Sequence, residues 1–514
     1  MKFPLPLRVA VRALSLAAVF FATALGAAED LGQFSGRSEI GELKVPSTVA
    51  YDAAKGTYTL GAAGLNMWAR RDDFLYVWKK ASGDLAISAE IDFVGTGADP
   101  HRKACLVIRQ ALTADAVYVD AAVHGDGLTS LQYRETVGDV TREVQANAKA
   151  PRRLRLDKIG DMVYLSLAGA GGVFTPAGSS VRLPFTGEFY VGLAVCAHKA
   201  DGFESAVFSK VEFPPLSKAV VAIRSSLETV VISSGDRRSV YATTERIEAP
   251  NWSKDGALYF NGGGRIQRLS LTGPTEPVRI DLGTLTRANN DHGISPDGTQ
   301  LAISDGTKPG GSRIYLAPIA GGTPREITPL APSYWHGWSP DGLTLAYCAK
   351  RDGRFGIFTV PAAGGEEKRL TTAATDAGLD DGPEYSPDGQ WIYFNSDRTG
   401  LMQIWRMKPD GTAPEQVTHD NFNNWFAHPS PNGRWLAYLT FAPDVKGHPP
   451  DKDVMIRLLP APGAAVSQPP SAGAAAVEPR VLVKLFGGQG TMNVPSWSPD
   501  SARLAYVRYQ PVVK

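Results

Sequence analysis

One short pattern, repeated six times, constrains this chain more than anything else in it. An aromatic or apolar residue is followed by Ser, then Pro or Lys, Asp or Asn, and Gly or Ser, and an alternating apolar strand comes next. The copies are Trp252-Ser253-Lys254-Asp255-Gly256, Ile294-Ser295-Pro296-Asp297-Gly298, Trp338-Ser339-Pro340-Asp341-Gly342, Tyr385-Ser386-Pro387-Asp388-Gly389, Pro429-Ser430-Pro431-Asn432-Gly433 and Trp497-Ser498-Pro499-Asp500-Ser501. Successive serines are 42, 44, 47, 44 and 68 residues apart. Asp-Gly or Asn-Gly between apolar runs is a hairpin signal, because tight turns need the positive φ that Gly and Asn tolerate. Each copy therefore predicts a strand pair, and a second pair follows, as in Arg313 to Pro318 with Arg325 to Thr328. Four strands per period of about 44 residues make a propeller blade.

Strand bookkeeping predicts a closed ring of six blades. The last copy supplies two strands, Val494 to Tyr509, before the chain ends. The missing outer pair lies upstream of the first copy, at Glu228 to Ile232 and Ser239 to Thr243. A blade built from both ends of the domain would remove open sheet edges. The sixth period is long because of two insertions, Pro443 to Asp453 and the Ala-, Pro- and Gly-rich stretch Ala461 to Glu478, which reads as a disordered tip.

The first half lacks this period but shows alternating strands, among them Leu85 to Phe93, Ala104 to Gln110, Met162 to Ala168 and Glu188 to Ala197. They predict a β-sandwich or jelly roll. The expected division is a signal peptide at 1–28, a sandwich at 29–215, a linker at 216–224 and the propeller at 225–514, an all-β chain throughout. Lys2, Arg8 and Arg12 precede the apolar stretch Ala13 to Thr23 and a small-residue run, the pattern of a cleaved export signal, too short for a membrane anchor. A periplasmic or secreted location follows. The formal charge of +1 offers no basic footprint for nucleic acid. In an oxidising compartment Cys105 and Cys196 could pair if their strands are adjacent; Cys348 reads as a buried free thiol.

The residues just before each repeat should line the propeller axis, and they are unusually polar. The expected ligand-binding set at the channel mouth is Asn290, Asp291, His292, Tyr334, His336, Asp380, Asp381, Asn424, Trp425, His428, Gln489 and Asn493. His292 and His336 each stand three residues before their Ser, so strict alternation gives them equivalent positions. His428 stands two before its own. In the first half, Trp68, Trp78, Arg109, His124, Tyr133 and His198 are the aromatic and polar candidates.

The repeats resemble those of the TolB-like propeller family over the whole second half. That resemblance implies a six-bladed periplasmic propeller; the α/β domain that TolB proteins carry ahead of it is replaced here by strands, so their cell-envelope role does not carry over. The first half resembles concanavalin-like sandwich domains of carbohydrate-active proteins, in Tyr190-Val191-Gly192-Leu193-Ala194-Val195 and a Glu-rich final strand. Glu90-Ile91-Asp92 is similar to the start of a laminarinase-type catalytic strand, but the second Glu that strand requires is Gly95. The propeller is also distantly similar to oligogalacturonate lyase, which implies a divalent metal held by several His and a Gln. His292, His336, His428 and Gln489 are the matching set, with Asp380, Asp381 or Glu384 as ligand or base; Met492 and Val494 stand where that family has a closely spaced His pair. Two functions follow from these readings. One is a protein that binds a polar small molecule, an oligosaccharide or a protein segment at the channel mouth and sandwich. The other is a metal-assisted lyase or hydrolase acting on oligosaccharides.

Overall fold

The computed structural model describes residues 29–169, 172–216, 220–272, 276–371, 378–464 and 478–513. The expected export segment 1–28, linker residues 217–219 and most of the Ala461 to Glu478 insertion lie outside the described residues. All regular structure described is β, with no helix.

Five four-stranded antiparallel sheets follow one another along the second half, the blades of a propeller. Their innermost strands are Ile247–Trp252, Ala288–Ile294, Ser333–Trp338, Asp380–Tyr385 and Asn423–Pro429. The repeated turn explains their uniformity. In the second copy Ser295 Oγ donates to Asp297 Oδ1 at 2.5 Å and accepts from Gln300 N at 2.9 Å, while Asp297 Oδ1 accepts from Thr299 N. Gly298 sits at φ 79°. The last copy has Ser501 at that place and holds it at φ 61°.

The two ends of the second half lie side by side in the sheet. Val220–Val231 pairs along its length with the C-terminal strand Arg503–Val513 on one side and with Arg237–Thr243 on the other. An isolated bridge, Trp497 to Leu504, continues the set toward the axis.

In the first half a seven-stranded sheet, running from Phe174–Arg182 to Thr48–Asp52, faces the strands from Gly36–Ile40 to Arg142–Lys149. One core joins the two faces, with Leu60, Ile87, Leu154 and Phe208 from the first and Leu75, Leu106, Val119 and Leu193 from the second. Turn-forming composition hid several strands from the sequence reading, notably Phe174–Arg182, which contains Pro176 and Gly178. Cys105, Cys196 and Cys348 are all free. The strands of Cys105 and Cys196 are indeed neighbours, but Cys105 lies opposite Ala194 and Cys196 opposite Lys103, two residues out of register.

The halves are stitched together. Strand Arg142–Lys149 pairs in parallel with Arg237–Thr243, making one ten-stranded sheet from the first half into the terminal strands and covering an edge on each side. Above the seam, Arg508 Nη1 donates to the Ser180 carbonyl at 2.6 Å and Gln510 Nε2 to the Ser180 hydroxyl at 2.6 Å.

Candidate binding site at the propeller axis

Every innermost strand breaks register with its neighbour shortly before the Ser-containing turn. In three of the five, the residue four before the Ser has positive φ: Ala249 (55°), Gly382 (61°) and Phe426 (54°). Such bulges re-aim the side chains around them. They decide which residues reach the axis, and they differ from blade to blade.

A cavity of ≈ 410 Å³ opens there. His336 and Asp381 come from innermost strands, and Gln489 from the loop after the fifth blade. His448 comes from the Pro443 to Asp453 insertion. Asp381 lies between the two histidines, with Oδ1 3.3 Å from His336 Nε2 and Oδ2 3.6 Å from His448 Nε2. His448 Nδ1 bonds Gln489 Oε1, and its ring is wedged edge-on against Trp425 and Phe426, centroids 4.5 and 5.0 Å away. Burial works against the charge on all three groups, but mutual attraction prevails: Asp381 is held well below the usual carboxylate range, and both imidazoles are raised above theirs. Asp291 behaves oppositely, because burial dominates and pushes its carboxyl up to about 6. Among the described residues no hydrogen bond reaches that carboxylate, and the buried Nδ2 of Asn290 beside it has no acceptor. Tyr334, Phe355 and Phe426 supply aromatic surface.

Of the expected residues, Asn290, Asp291, Tyr334, His336, Asp381, Gln489 and Asn493 line this cavity. The other five do not. His292 is fully buried, both ring nitrogens lack a partner, and desolvation lowers its pKa to about 4. Its expected equivalence with His336 fails because the second blade's break spans Ala288 to His292, whereas the third blade's falls between Trp335 and Gly337. Asp380 turns to Arg398, 2.7 Å away. Asn424 is tied to Asp420 and Thr440, and Trp425 is core. His428 sits deeper, its Nδ1 2.6 Å from Glu384 Oε2 and its Nε2 3.2 Å from the Met492 carbonyl.

The metal set His292, His336, His428 and Gln489 therefore does not gather, and Glu384 is committed to His428. Among the described residues no group of three or more His, Cys, Asp or Glu has metal-holding geometry. The residues do not fit the cation that the lyase resemblance implied.

Sequence reasoning missed His448, Cys348, Phe355, Leu379 and Phe426. Cys348 is a buried free thiol, as expected, yet it borders the cavity. The first-half candidates are mostly structural. Arg109 is sealed against Asp72 at 2.7 Å, Trp78 bonds Ser38 and packs on Tyr190, Tyr133 is core, and Trp68 lies under Lys103. His124 is buried against Gln132, and His198 pairs with Asp99.

The repeat and the blades find their counterparts among known proteins. The model of the TolB β-propeller domain matches residues 294–446. An uncharacterized protein of Agrobacterium fabrum is 49% identical over 292 residues, which is 57% of this chain and 94% of that protein. The chain belongs to the TolB-like β-propeller family. A solved structure described as a putative TolB from Agrobacterium tumefaciens shares 49% identity and a TM-score of 0.52, covering 57% of this chain and all of the other. TolB from Acinetobacter baumannii is far more distant, at 14% identity over 60% of this chain and 76% of its own, with a TM-score of 0.37. This TolB-like chain thus carries 43% of its length outside the match to its Agrobacterium relatives. No helix among the described residues is long and apolar enough to cross a membrane.

Proposed function

We propose that this TolB-like protein is exported and binds a short oligosaccharide or a polar peptide segment in the axial cavity, and that the paired terminal strands form a sixth blade closing the ring around it. The observation that carries the binding reading is the unmatched pair Asn290 and Asp291. Asp291 lines the cavity with no hydrogen bond to its carboxylate among the described residues, and the Nδ2 of its neighbour Asn290 is buried without an acceptor, so a ligand that donates to Asp291, and accepts from Asn290 once that side chain turns toward it, would satisfy both. A sugar hydroxyl does this with a single atom, which favours a saccharide, and Tyr334, Phe355 and Phe426 offer faces on which a ring can stack. The volume lies within the range of small-molecule sites. The Asp381 cluster positions His336 without consuming Asp291.

The test is calorimetry of the full chain against neutral di- to tetrasaccharides and uncharged tripeptides. At least one should saturate at one per chain, and joint Asn290→Ala and Asp291→Ala substitution should weaken it at least about tenfold. Failure of every member of both panels, or binding untouched by the double substitution, would sink the reading.

A further inference from the structure

A second cleft of ≈ 410 Å³ opens where the first half meets the terminal strands. One wall is apolar, with Pro151, Leu167 and Pro176; the other carries Arg224, Ser239 and Tyr241. Three other arginines near this seam have carboxylates within ion-pair distance. Arg237 and Arg508 flank Glu228 at 3.6 and 3.3 Å, and Arg182 reaches Asp161 and Asp453. Arg224, directly across from Gln510, has no hydrogen bond or ion pair among the described residues, and its Nε is buried without an acceptor. Ser239 is 1% exposed and its hydroxyl is also without a partner. Glu276 stands exposed on the same lining but forms no ion pair with Arg224. Desolvation lowers the Arg224 pKa, opposed by the Tyr241 phenol rather than by any carboxylate.

A half-buried guanidinium without an anion is costly, and the fork of its N–H groups matches a carboxylate. We infer that this cleft is a ligand site distinct from the axial cavity and takes a small organic carboxylate. Its acid group bonds Arg224, and its carbon skeleton rests on Pro151, Leu167 and Pro176. Clefts between packed units are frequent ligand sites, and this volume suits a molecule of one or two rings.

The experiment titrates the full chain calorimetrically with glucuronate and with benzoate, and with glucose as the uncharged control. One of the two carboxylates should saturate at one per chain, glucose should not compete with it, and Arg224→Gln should weaken it at least about tenfold. Saturation by neither carboxylate, competition by glucose, or equal binding by R224Q overturns the proposal. Arg224→Met guards against a folding artefact. Without ligand its melting temperature should equal or exceed the parent's, because an unmatched charge has been removed. A drop of more than about 5 °C, which corresponds to a kcal/mol or more, would show Arg224 to be a structural strut and also overturn the proposal.

Discussion

Glu228 at the seam, fully buried, and Asp381 at the propeller axis, partly buried, are both carboxylates flanked by two basic side chains, yet they sit in different surroundings. Glu228 is sealed at 0% exposure, with Arg237, Arg508 and Tyr506 around it, and only its partner Arg237 reaches a cleft. Asp381 borders open volume, and its partners are imidazoles that can lose their protons. Two arginines cannot neutralise, so above about pH 6, where Glu228 is ionised, the seam cluster works as a fastener between the two halves. Two histidines make the axial cluster adjustable. The partner type and the exposure of the carboxylate, rather than charge count, separate a fastener from a site.

Removing the seam strands should have the largest effect. Deleting residues 220–243 strips the partner from Arg503–Val513 and uncovers the edge of Arg142–Lys149. Exposed edges recruit other chains. The deletion variant should be lost to aggregation, as judged by the soluble fraction and by light scattering; a soluble monomer with parental melting temperature would contradict both the closed ring and the fastener.

Glu228→Ala tests the fastener alone. It leaves Arg237 and Arg508 buried with no anion, and breaking one side of a buried ion cluster costs about 3–5 kcal/mol. Denaturant unfolding should show that loss, whereas Asp381→Asn, beside a cavity that admits water, should cost much less. Equal losses would erase the distinction between the two clusters.

A narrower comparison sets His292 against His336. His292→Ala opens a hole in packed core and should cost about 1–3 kcal/mol, part of the cavity term being offset by removal of an unpartnered imidazole. His336→Ala enlarges an existing cavity, where water can replace the lost donor, and should cost about 1 kcal/mol or less. The expected contrast is a stability defect with ligand binding intact for His292, and the reverse for His336.

That pair also shows how far the sequence could be read. The turn motif is local chemistry, a Ser hydroxyl and an Asp carboxylate closing a Gly turn, so the blades were legible from residue identity alone. So was the clustering of Asn290, Asp291, Tyr334, His336 and Asp381 at the axis. The placing of His292 was not, because a bulge changes which face a side chain occupies while leaving no mark on residue spacing. His448 escaped because it belongs to an insertion, which has no place in the repeat register. The seam was hidden for another reason. Glu228, Arg237 and Arg508 lie in strands where charged residues would ordinarily face water, and contacts from distant strands, Ser180 with both arginines and Tyr506 with Glu228, accompany their burial.

The smallest expected effect is the dependence of the axial cluster on pH. His336 and His448 have folded pKa values raised above the ordinary histidine value, so their contribution is complete below about 6.5 and fades as pH rises through the raised values. Asp381 has a depressed value, so its contribution is complete above about 4 and is lost only as pH falls through a value far below that. The cluster is therefore at full strength between about pH 4 and 6.5 and weakens as pH rises above that. Asp291 and Glu228, each pushed up to about 6 by burial, act in the other sense and cost stability as they ionise on the way to neutrality, so a single pH profile of the parent would mix these contributions. A difference between variants separates them. Asp381→Asn keeps the shape and removes the charge that raises both imidazoles. Between about pH 6 and 8.5, above the Asp291 and Glu228 values, the parent should lose more melting temperature than D381N does. Arg237 and Arg508 keep their charge across this range, so a seam variant should decline in parallel with the parent. If D381N and the parent decline alike, the axial histidines are not held protonated by Asp381, and the axial cluster is as fixed as the seam.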